Sequence, residues 1–442
     1  MTRTDLTPRR KALISFARHH ILAVLERGVK HGQLQIVEDD VILTFGEPES
    51  KIPLTKATLH VRDASLWLRI FMTSDLGFAE SFMLEEVEVD DLKAVCEIWL
   101  LNAPHLHGLS TSLHRIFSTV FKFTSSLFGQ NISRARLNAI AGYDGSNTLF
   151  QAFLSQEMMY SCALWTDELG GVSGDLDAKP SEECSLEAAQ KAKINLVLAK
   201  TGVRAGDRIL EIGSGWCGFA IEAARRGCSV DTITLSTAQK SLGEARVRAA
   251  GLQHLVTVHL LDYRCLPPTF KNAFDAVVSI EMVEHVGTRH YKKYFQVIDW
   301  AMKTTTRSVA VISSSTMPES RYTTYQAPDF SRYYMWPNGA LPSATALIKA
   351  ANKGSRGRLT LQSVENHGEH YPRTLREWKR RFHANVWDLV QEQIIQEKPE
   401  FADPRVFGPF TRKWLYLFPS AEAGFESGYL GCHMLTFGRD VV

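Results

Sequence analysis

The chain has 442 residues, which is too long for one ordinary domain, since most domains hold about 100–200 residues. Hydrophobic residues make up 45% of the chain and charged residues 22%, and this balance excludes wholesale disorder because enough apolar surface is present to form cores. The formal net charge of +2 excludes a protein-wide positive field for nucleic acid and leaves room only for a regional basic surface.

Cysteine spacing and hydropathy indicate the compartment. The seven cysteines are scattered and never spaced as CxxC, so neither a disulfide framework nor a structural zinc site is expected. No apolar run reaches the roughly 18 residues that a membrane-spanning helix needs. The first twenty residues also lack the apolar core of a signal peptide. Together these features predict a cytoplasmic protein without a bound metal.

The chain begins with a small α+β domain, predicted over residues 1–105. Helical spacing covers residues 11–29, 64–72 and 90–101, and strand-like alternation covers residues 33–44 and 56–61. This segment holds enough apolar residues for a core of its own.

Residues 106–142 are predicted to form a basic amphipathic connector. No Asp or Glu occurs between Ile98 and Tyr143, whereas Arg115 and Lys122 lie beside apolar residues at helical spacing. Such a helix can lie on an anionic membrane surface, or it can pack between two domains. The sequence leaves both alternatives open.

From about residue 195 the pattern changes to short apolar runs that alternate with helical segments, which predicts βαβ units and a parallel sheet. The predicted strands are residues 208–212, 229–235, 256–260, 275–280 and 308–313. The predicted helices are residues 219–226, 237–250 and 291–302. Residues 316–343 are too many for a plain connection and are expected to cover a site. A long helical region at residues 374–396 and a strand at residues 429–437 follow.

A glycine turn after the first of these strands predicts a nucleotide-like cofactor. Gly213 and Gly215 let the backbone turn tightly and approach a ligand at the start of a helix. The bare spacing also matches a dinucleotide fingerprint, so NAD remains an alternative. Glu211 favours S-adenosyl-L-methionine (SAM), because a carboxylate there would crowd a pyrophosphate but suits a cationic cofactor. Asp262 is placed to accept from an adenine amino group.

Reading outward from this turn, the chain resembles the cyclopropane fatty acid synthase family, which includes the mycolic acid cyclopropane synthases. The ordered segments that carry the resemblance are YDGSNTLFQAFLSQEMMYSCALW, SLEAAQKAKINLVLAKTG, LEIGSGWCG, TLSTAQ, LLDYR, EMVEHVG, MWPNGALPS and EHYPRTLREW. The resemblance implies a doubly wound, seven-stranded class I methyltransferase domain with a Rossmann-like α/β fold. It assigns residues 143–442 to that domain, with a lipid-binding helical cover.

The same resemblance implies two sets of site residues. The expected SAM-binding residues are Tyr160, Ser161, Glu211, Gly213, Gly215, Thr234, Leu235, Gln239, Asp262 and Tyr263. A bicarbonate ion, which in the family removes a proton from the newly added methyl group, would be held by the Cys162 backbone, Glu284 and Tyr371. The family's remaining bicarbonate partner is a histidine, which a serine replaces here. That serine aligns as Ser313, to within one residue.

The function that these features predict is SAM-dependent C-methylation of a lipid alkene by a cyclopropane-fatty-acyl-phospholipid synthase. The missing histidine leaves a methyl-branched lipid as an alternative product, and a sterol or polyketide-type metabolite as an alternative substrate. A catalytically decayed membrane-binding or lipid-binding protein is a further alternative. The predicted partners are an unsaturated acyl lipid and, peripherally, an anionic membrane, with no nucleic acid and with a homodimer left open.

Overall fold

The computed structural model describes residues 7–46, 55–106, 146–177, 184–305, 307–326, 329–337 and 339–439. All but the first residue of the predicted basic connector, together with Arg115 and Lys122, lies outside the described residues. The two alternatives for that segment therefore stay predictions. None of the described helices is both long enough and apolar enough to span a lipid bilayer.

The elements are numbered in chain order. The strands are β1 Gln33–Glu38, β2 Val41–Phe45, β3 Lys56–Val61, β4 Val87–Val89, β5 Arg208–Ile212, β6 Ser229–Thr234, β7 Val256–Leu260, β8 Ala276–Ile280, β9 Val309–Thr316, β10 Leu359–Asn366 and β11 Gly431–Arg439. The helices are α1 Pro8–Gly28, α2 Ser65–Thr73, α3 Asp75–Met83, α4 Leu92–Asn102, α5 Asn147–Gln151, α6 Gly174–Asp177, α7 Leu186–Thr201, α8 Gly218–Arg225, α9 Thr237–Ala249, α10 Tyr291–Ala301, α11 Ala344–Ser355, α12 Tyr371–Asn385, α13 Gln391–Glu397 and α14 Pro404–Glu426.

The N-terminal unit is an α+β structure built on a four-stranded sheet in the order β2-β1-β3-β4. β1 pairs antiparallel with β2 and parallel with β3, and β4 closes the other edge antiparallel to β3. The predicted strand at residues 33–44 is thus a hairpin of two strands. β3 has the predicted bounds, whereas α3 and β4 were not predicted.

This unit also contains residues 329–337 and 395–427, which the sequence had placed in the methyltransferase domain. The addition includes α14, whose Tyr416 ring packs against the rings of Phe82 and Phe330. Lys93 of α4 lies 3.5 Å from Glu422 and 2.6 Å from Glu426 of the same helix. The apolar stripe of α14 is visible in the sequence, but which of two cores receives it depends on contacts far apart in the chain.

The second unit contains the predicted seven-stranded sheet, in the order β10-β11-β9-β8-β5-β6-β7. β5 to β9 run parallel, and β11 runs antiparallel to both β9 and β10. One apolar layer packs Phe295 and Ile298 of α10 on one face of the sheet, and another packs Ile194 and Phe219 on the opposite face. This arrangement confirms the doubly wound α/β fold.

The sheet order fixes where a ligand can bind. The chain runs from β5 outward to β6 and β7, and then returns to β8 on the other side of β5. In open α/β sheets the connections leave in opposite directions at such a point, and a crevice opens outside the carboxyl ends of the two strands. The segments that follow β5 and β8 therefore meet at one place.

The contact between α10 and α11 provides a test of the fold. A Cβ atom on Gly354 would lie 2.7 Å from the Lys292 carbonyl oxygen and 2.8 Å from the Phe295 Cβ, whereas on Gly408 of α14 it would meet only Glu85 Oε1, at 3.7 Å. We expect Gly354→Ala to lower the free energy of unfolding by about 1–3 kcal/mol through overpacking. Gly408→Ala should raise it by about 0.5–1 kcal/mol, because alanine is the better helix former. Urea unfolding followed by circular dichroism measures both, and an undiminished stability of Gly354→Ala would contradict the packing.

Candidate active site

The turn after β5 offers open backbone to a ligand. Gly213 and Gly215 have φ angles of +100° and +47°, a region that L side chains rarely adopt. A Cβ atom on Gly215 would meet no heavy atom of the described residues within 4 Å, whereas one on Gly213 would lie 3.0 Å from Met282 Cγ. The space in front of Gly215 therefore suits a ligand that approaches the backbone closely, as the predicted cofactor would.

Glu211 supports this turn from within. It is buried, and its Oε2 accepts a hydrogen bond of 2.6 Å from the hydroxyl of Thr232, which also lies 2.8 Å from Ser214 Oγ in the turn. Burial raises the pKa of Glu211 to about 8, although the Thr232 hydrogen bond acts in the opposite direction. A cationic ligand nearby would stabilise the ionised form. The residue thus fits a cationic cofactor and also holds the turn in place.

The neighbouring strands carry the other predicted cofactor residues. Thr234 ends β6, and its hydroxyl lies 2.8 Å from Gln239 Oε1. Leu235 follows and is 72% exposed, so its side chain is available to a ligand. Beyond β7, both carboxylate oxygens of Asp262 accept from Arg264, whose hydrogen bonds lower the pKa of that carboxyl. An adenine amino group at Asp262 would have to share or displace this ion pair.

An aromatic group borders the segment that contains Ser161 and Cys162. The ring of Tyr160 lies 5.1 Å from that of Phe150 and 5.3 Å from that of Trp378. Phe153 and Trp378 are buried, and Lys193 of α7 donates to Ser161 Oγ from a buried position. Tyr263 packs its ring edge against Tyr294 at 5.3 Å. These rings exclude water from one side of the site.

Two carboxyl groups follow β8, and the first was not predicted as a site residue. Glu281 Oε1 accepts a hydrogen bond of 2.8 Å from the backbone N–H of Cys162, and Glu281 Oε2 accepts one of 2.5 Å from the Tyr371 hydroxyl. These donors belong to two of the three residues expected to hold bicarbonate. Burial raises the pKa of Glu281, whereas Lys193, Tyr371 and the Cys162 N–H favour its ionised form.

Glu284, the second carboxyl group, lies in the 3₁₀ turn Val283–His285. Its Oε1 accepts a 2.6 Å hydrogen bond from the backbone N–H of Ser315, and its buried Oε2 has no hydrogen-bond partner among the described residues. Burial, and next the negative charge of Glu281, raise the pKa of Glu284 to about 8. Near neutral pH this favours the protonated form of Glu284.

Ser313, the serine expected in place of the family's histidine, lies in β9 next to Glu281. Ser313 pairs with Ile280 across β9 and β8, and its carbonyl oxygen accepts from the Glu281 N–H at 3.0 Å. The neighbouring Ser314 hydroxyl donates a hydrogen bond of 2.7 Å to the Ser315 carbonyl oxygen, and it acts to lower the pKa of Glu284 against the larger effect of burial. Successive residues of a strand face opposite sides of the sheet, so the side chains of Ser313 and Ser314 lie on opposite faces.

The structure adds three residues to those predicted: Glu281, Lys193 and Cys432. Cys432 Sγ lies 3.8 Å from Glu281 Oε1. Glu281 is the first residue of the segment EMVEHVG. Its position directly after a buried strand could have identified it as a site residue. Nothing in the local sequence around Lys193 or Cys432 indicated that they would reach the same group.

The open turn predicts that Gly215→Val blocks cofactor binding. The new side chain would fill the space in front of the backbone, so we expect the Kd for SAM to rise at least about tenfold, which corresponds to about 1.4 kcal/mol. Gly202→Val is the matched control, because Gly202 also has a positive φ, of +62°, with no heavy atom near its Cβ position, but lies before β5. Calorimetric titration of both variants with SAM measures the difference. Equal affinities would contradict the proposed place of the cofactor.

The state of Glu284 predicts how stability depends on pH. Below its ordinary pKa of 4.5 the group is protonated in the folded and the unfolded chain alike, and its proton is retained in the folded state up to about pH 8. The folded protein therefore loses stability between these values, by at most about 1.4 kcal/mol per pH unit for this group. Glu284→Gln removes that loss, so the variant should gain stability relative to the parent as pH rises towards 8. Urea unfolding across this range, with the exposed Glu26→Gln as control, is the measurement; a constant difference would exclude a buried, protonated Glu284.

Comparison with known proteins places the chain in a family. The model of the mycolic acid cyclopropane synthetase family matches residues 130–434. The tuberculostearic acid methyltransferase UfaA1 of Mycobacterium tuberculosis is 33% identical over 419 residues, which are 94% of this chain and 90% of that protein. The cyclopropane-fatty-acyl-phospholipid synthase of Escherichia coli K12 is 30% identical over 388 residues, 87% of this chain and 88% of the relative.

A solved structure has the same fold. The mycolic acid cyclopropane synthase CmaA1, complexed with SAH and CTAB, aligns with a TM-score of 0.54 at 24% identity and covers 69% of this chain and 98% of its own. With the matches in sequence, this agrees with the seven-stranded sheet and the open turn after β5. The chain belongs to the mycolic acid cyclopropane synthetase family and is a SAM-dependent methyltransferase.

Proposed function

We propose that the protein transfers a methyl carbon from SAM to the double bond of an unsaturated fatty acyl chain, and that it is a cyclopropane-fatty-acyl-phospholipid synthase. The observation that carries the proposal is the carboxyl pair of the half-buried Glu281 and the buried Glu284, in the segment after β8, at the crevice that also contains the cofactor turn. An alkene gains a positive charge when it is methylated, so a proton acceptor shielded from water is the group that this chemistry requires.

The chain supplies a binding site for the cofactor and a dry surface beside it. Bound SAM would provide an electrophilic methyl group. The backbone at Gly213 and Gly215, supported by Glu211, would hold it, and Thr234 and Leu235 would border it at the end of β6. The rings around Tyr160 keep water away, and aromatic faces also stabilise a nearby cation.

Bicarbonate stays a prediction within this proposal. The Oε2 of Glu284 has no partner among the residues that the structure describes and is available to such an ion, but the N–H of Cys162 and the hydroxyl of Tyr371 are already hydrogen-bonded to Glu281. Contact with an anionic membrane, a homodimer and a cytoplasmic location also stay predictions. The substrate class of the proposal rests on the names of the similar proteins and on the chemistry of the carboxyl pair.

A methyl-branched lipid is the second candidate product. Two observations favour it: one relative, 33% identical, is named a tuberculostearic acid methyltransferase, and serines occupy the place of the family's histidine in β9. Both products begin with the same carbon–carbon bond. They differ in what happens to the cation that remains, so they have to be separated by the structure of the product.

The test supplies purified protein with SAM carrying a ¹³C-labelled methyl group and with vesicles of a monounsaturated phospholipid. We expect the acyl chains to gain one labelled carbon, seen by mass spectrometry, and NMR to place it in a three-membered ring. Vesicles of saturated phospholipid and the Gly215→Val variant are the controls. Label at a methylene or methyl branch would establish the second candidate instead, and no label in any unsaturated acyl chain would refute acyl methylation.

A further inference from the structure

We propose that Glu281 is a catalytic residue that accepts the proton from the new methyl group, and that its carboxylate occupies the position in which the family's bicarbonate was expected. The inference rests on the proposed function, since it concerns the second step of the same reaction. In this proposal the base is a side chain of the protein, whereas the family's base is a dissolved bicarbonate ion.

The first argument is occupancy. Glu281 accepts from the Cys162 N–H at 2.8 Å and from the Tyr371 hydroxyl at 2.5 Å, which uses the two donors expected to hold an anion. A bicarbonate ion at the same donors would have to break both hydrogen bonds. It would also bring a second negative charge next to the Glu281 carboxylate, which is electrostatically unfavourable.

The second argument is the backbone. Glu281 has a φ of +49°, in the left-handed region that favours glycine. A side chain there is strained, and such strain persists where the surrounding structure holds the residue in place, most often at functional sites. Here the hydrogen bonds of the carboxylate hold it. The chain therefore has a glutamate at position 281 although a glycine there would remove the backbone strain.

The third argument is charge. The Cys162 N–H and the Tyr371 hydroxyl donate to Glu281 and favour its ionised form, and the charge of Lys193 acts in the same direction. Burial opposes them, because it raises the pKa of Glu281 and lowers that of Lys193. Glu284 is favoured in its protonated form, so it does not compete for the role of base near neutral pH. Of the two carboxyl groups, Glu281 is the one equipped to receive a proton.

The reaction then balances without any additional reagent. The π electrons of the alkene form a bond to the methyl carbon as the methyl–sulfur bond breaks, which leaves S-adenosylhomocysteine and a cation on the neighbouring carbon. Glu281 takes one proton from the new methyl group, and the electron pair of that C–H bond closes the ring. If a hydride first moves to the cationic carbon, the same proton loss gives a methylene branch. Both products add one CH₂ to the acyl chain.

The decisive variants are Glu281→Gly and Glu281→Gln. Glycine suits the φ of +49° and opens the space of the carboxylate, whereas glutamine fills the same space without a base. We expect the parent to turn over equally in carbonate-depleted and bicarbonate-containing buffer. Each variant should lose about 100- to 10,000-fold in kcat while its Kd for SAM stays within about twofold. Added bicarbonate or formate should restore turnover to Glu281→Gly and not to Glu281→Gln.

A binding measurement separates this inference from the proposed function. NMR titration with ¹³C-bicarbonate needs no lipid, and it should detect binding to Glu281→Gly but not to the parent or to Glu281→Gln. The exposed Glu26→Gln should behave as the parent in every assay. Two results for the parent would overturn the proposal: binding of bicarbonate, or a fall in turnover when bicarbonate is removed. Two results for Glu281→Gly would also overturn it: failure to bind an anion, or full turnover without one. Failure of the parent to modify any unsaturated lipid would overturn the proposed function and with it the catalytic role of Glu281, while the titration would still report whether Glu281 occupies the anion position.

Discussion

Two carboxyl groups three residues apart in sequence, both largely withdrawn from water after β8, are the constraint on which the site depends. Each is costly to ionise, and ionising both would add their repulsion. The surrounding residues stabilise the ionised forms of the two carboxyl groups unequally. Glu281 receives two hydrogen bonds, whereas Glu284 receives one, from a backbone N–H, and its buried Oε2 has no partner within the part of the chain that the structure describes. The anion is thereby better stabilised at Glu281 than at Glu284, whose pKa is raised to about 8.

The parallel sheet explains why this pair lies beside the cofactor turn. β5 and β8 are adjacent, yet β6 and β7 lie between them in the chain. The acidic segment therefore reaches the glycine turn through the topology, and Met282 packs against Gly213 where the two meet. Only groups at the carboxyl ends of these strands share the crevice. Substitutions in the glycine turn and substitutions in the carboxyl pair should therefore both affect the crevice between β5 and β8.

Local pattern and family resemblance together predicted a large part of this arrangement. β5 and β7 have the predicted bounds because their apolar runs are short and bounded by turn residues. Two kinds of feature could not be read locally. α14 continues through Pro409 and Pro419, where the sequence suggests breaks. The partners of Glu281 are Cys162, 119 residues earlier, and Tyr371, 90 residues later, and no pattern in a short window indicates such contacts.

A base that is part of the chain has to be regenerated in place. A diffusible ion can carry its proton away when it leaves, but the carboxyl group of Glu281 is tied to the backbone and closed in by Cys162, Tyr371 and Cys432. Each catalytic cycle must therefore end with a proton leaving the interior along side chains or an entering water molecule. The speed of that exit, rather than the supply of dissolved carbonate, would then set an upper limit on how fast successive lipids are processed.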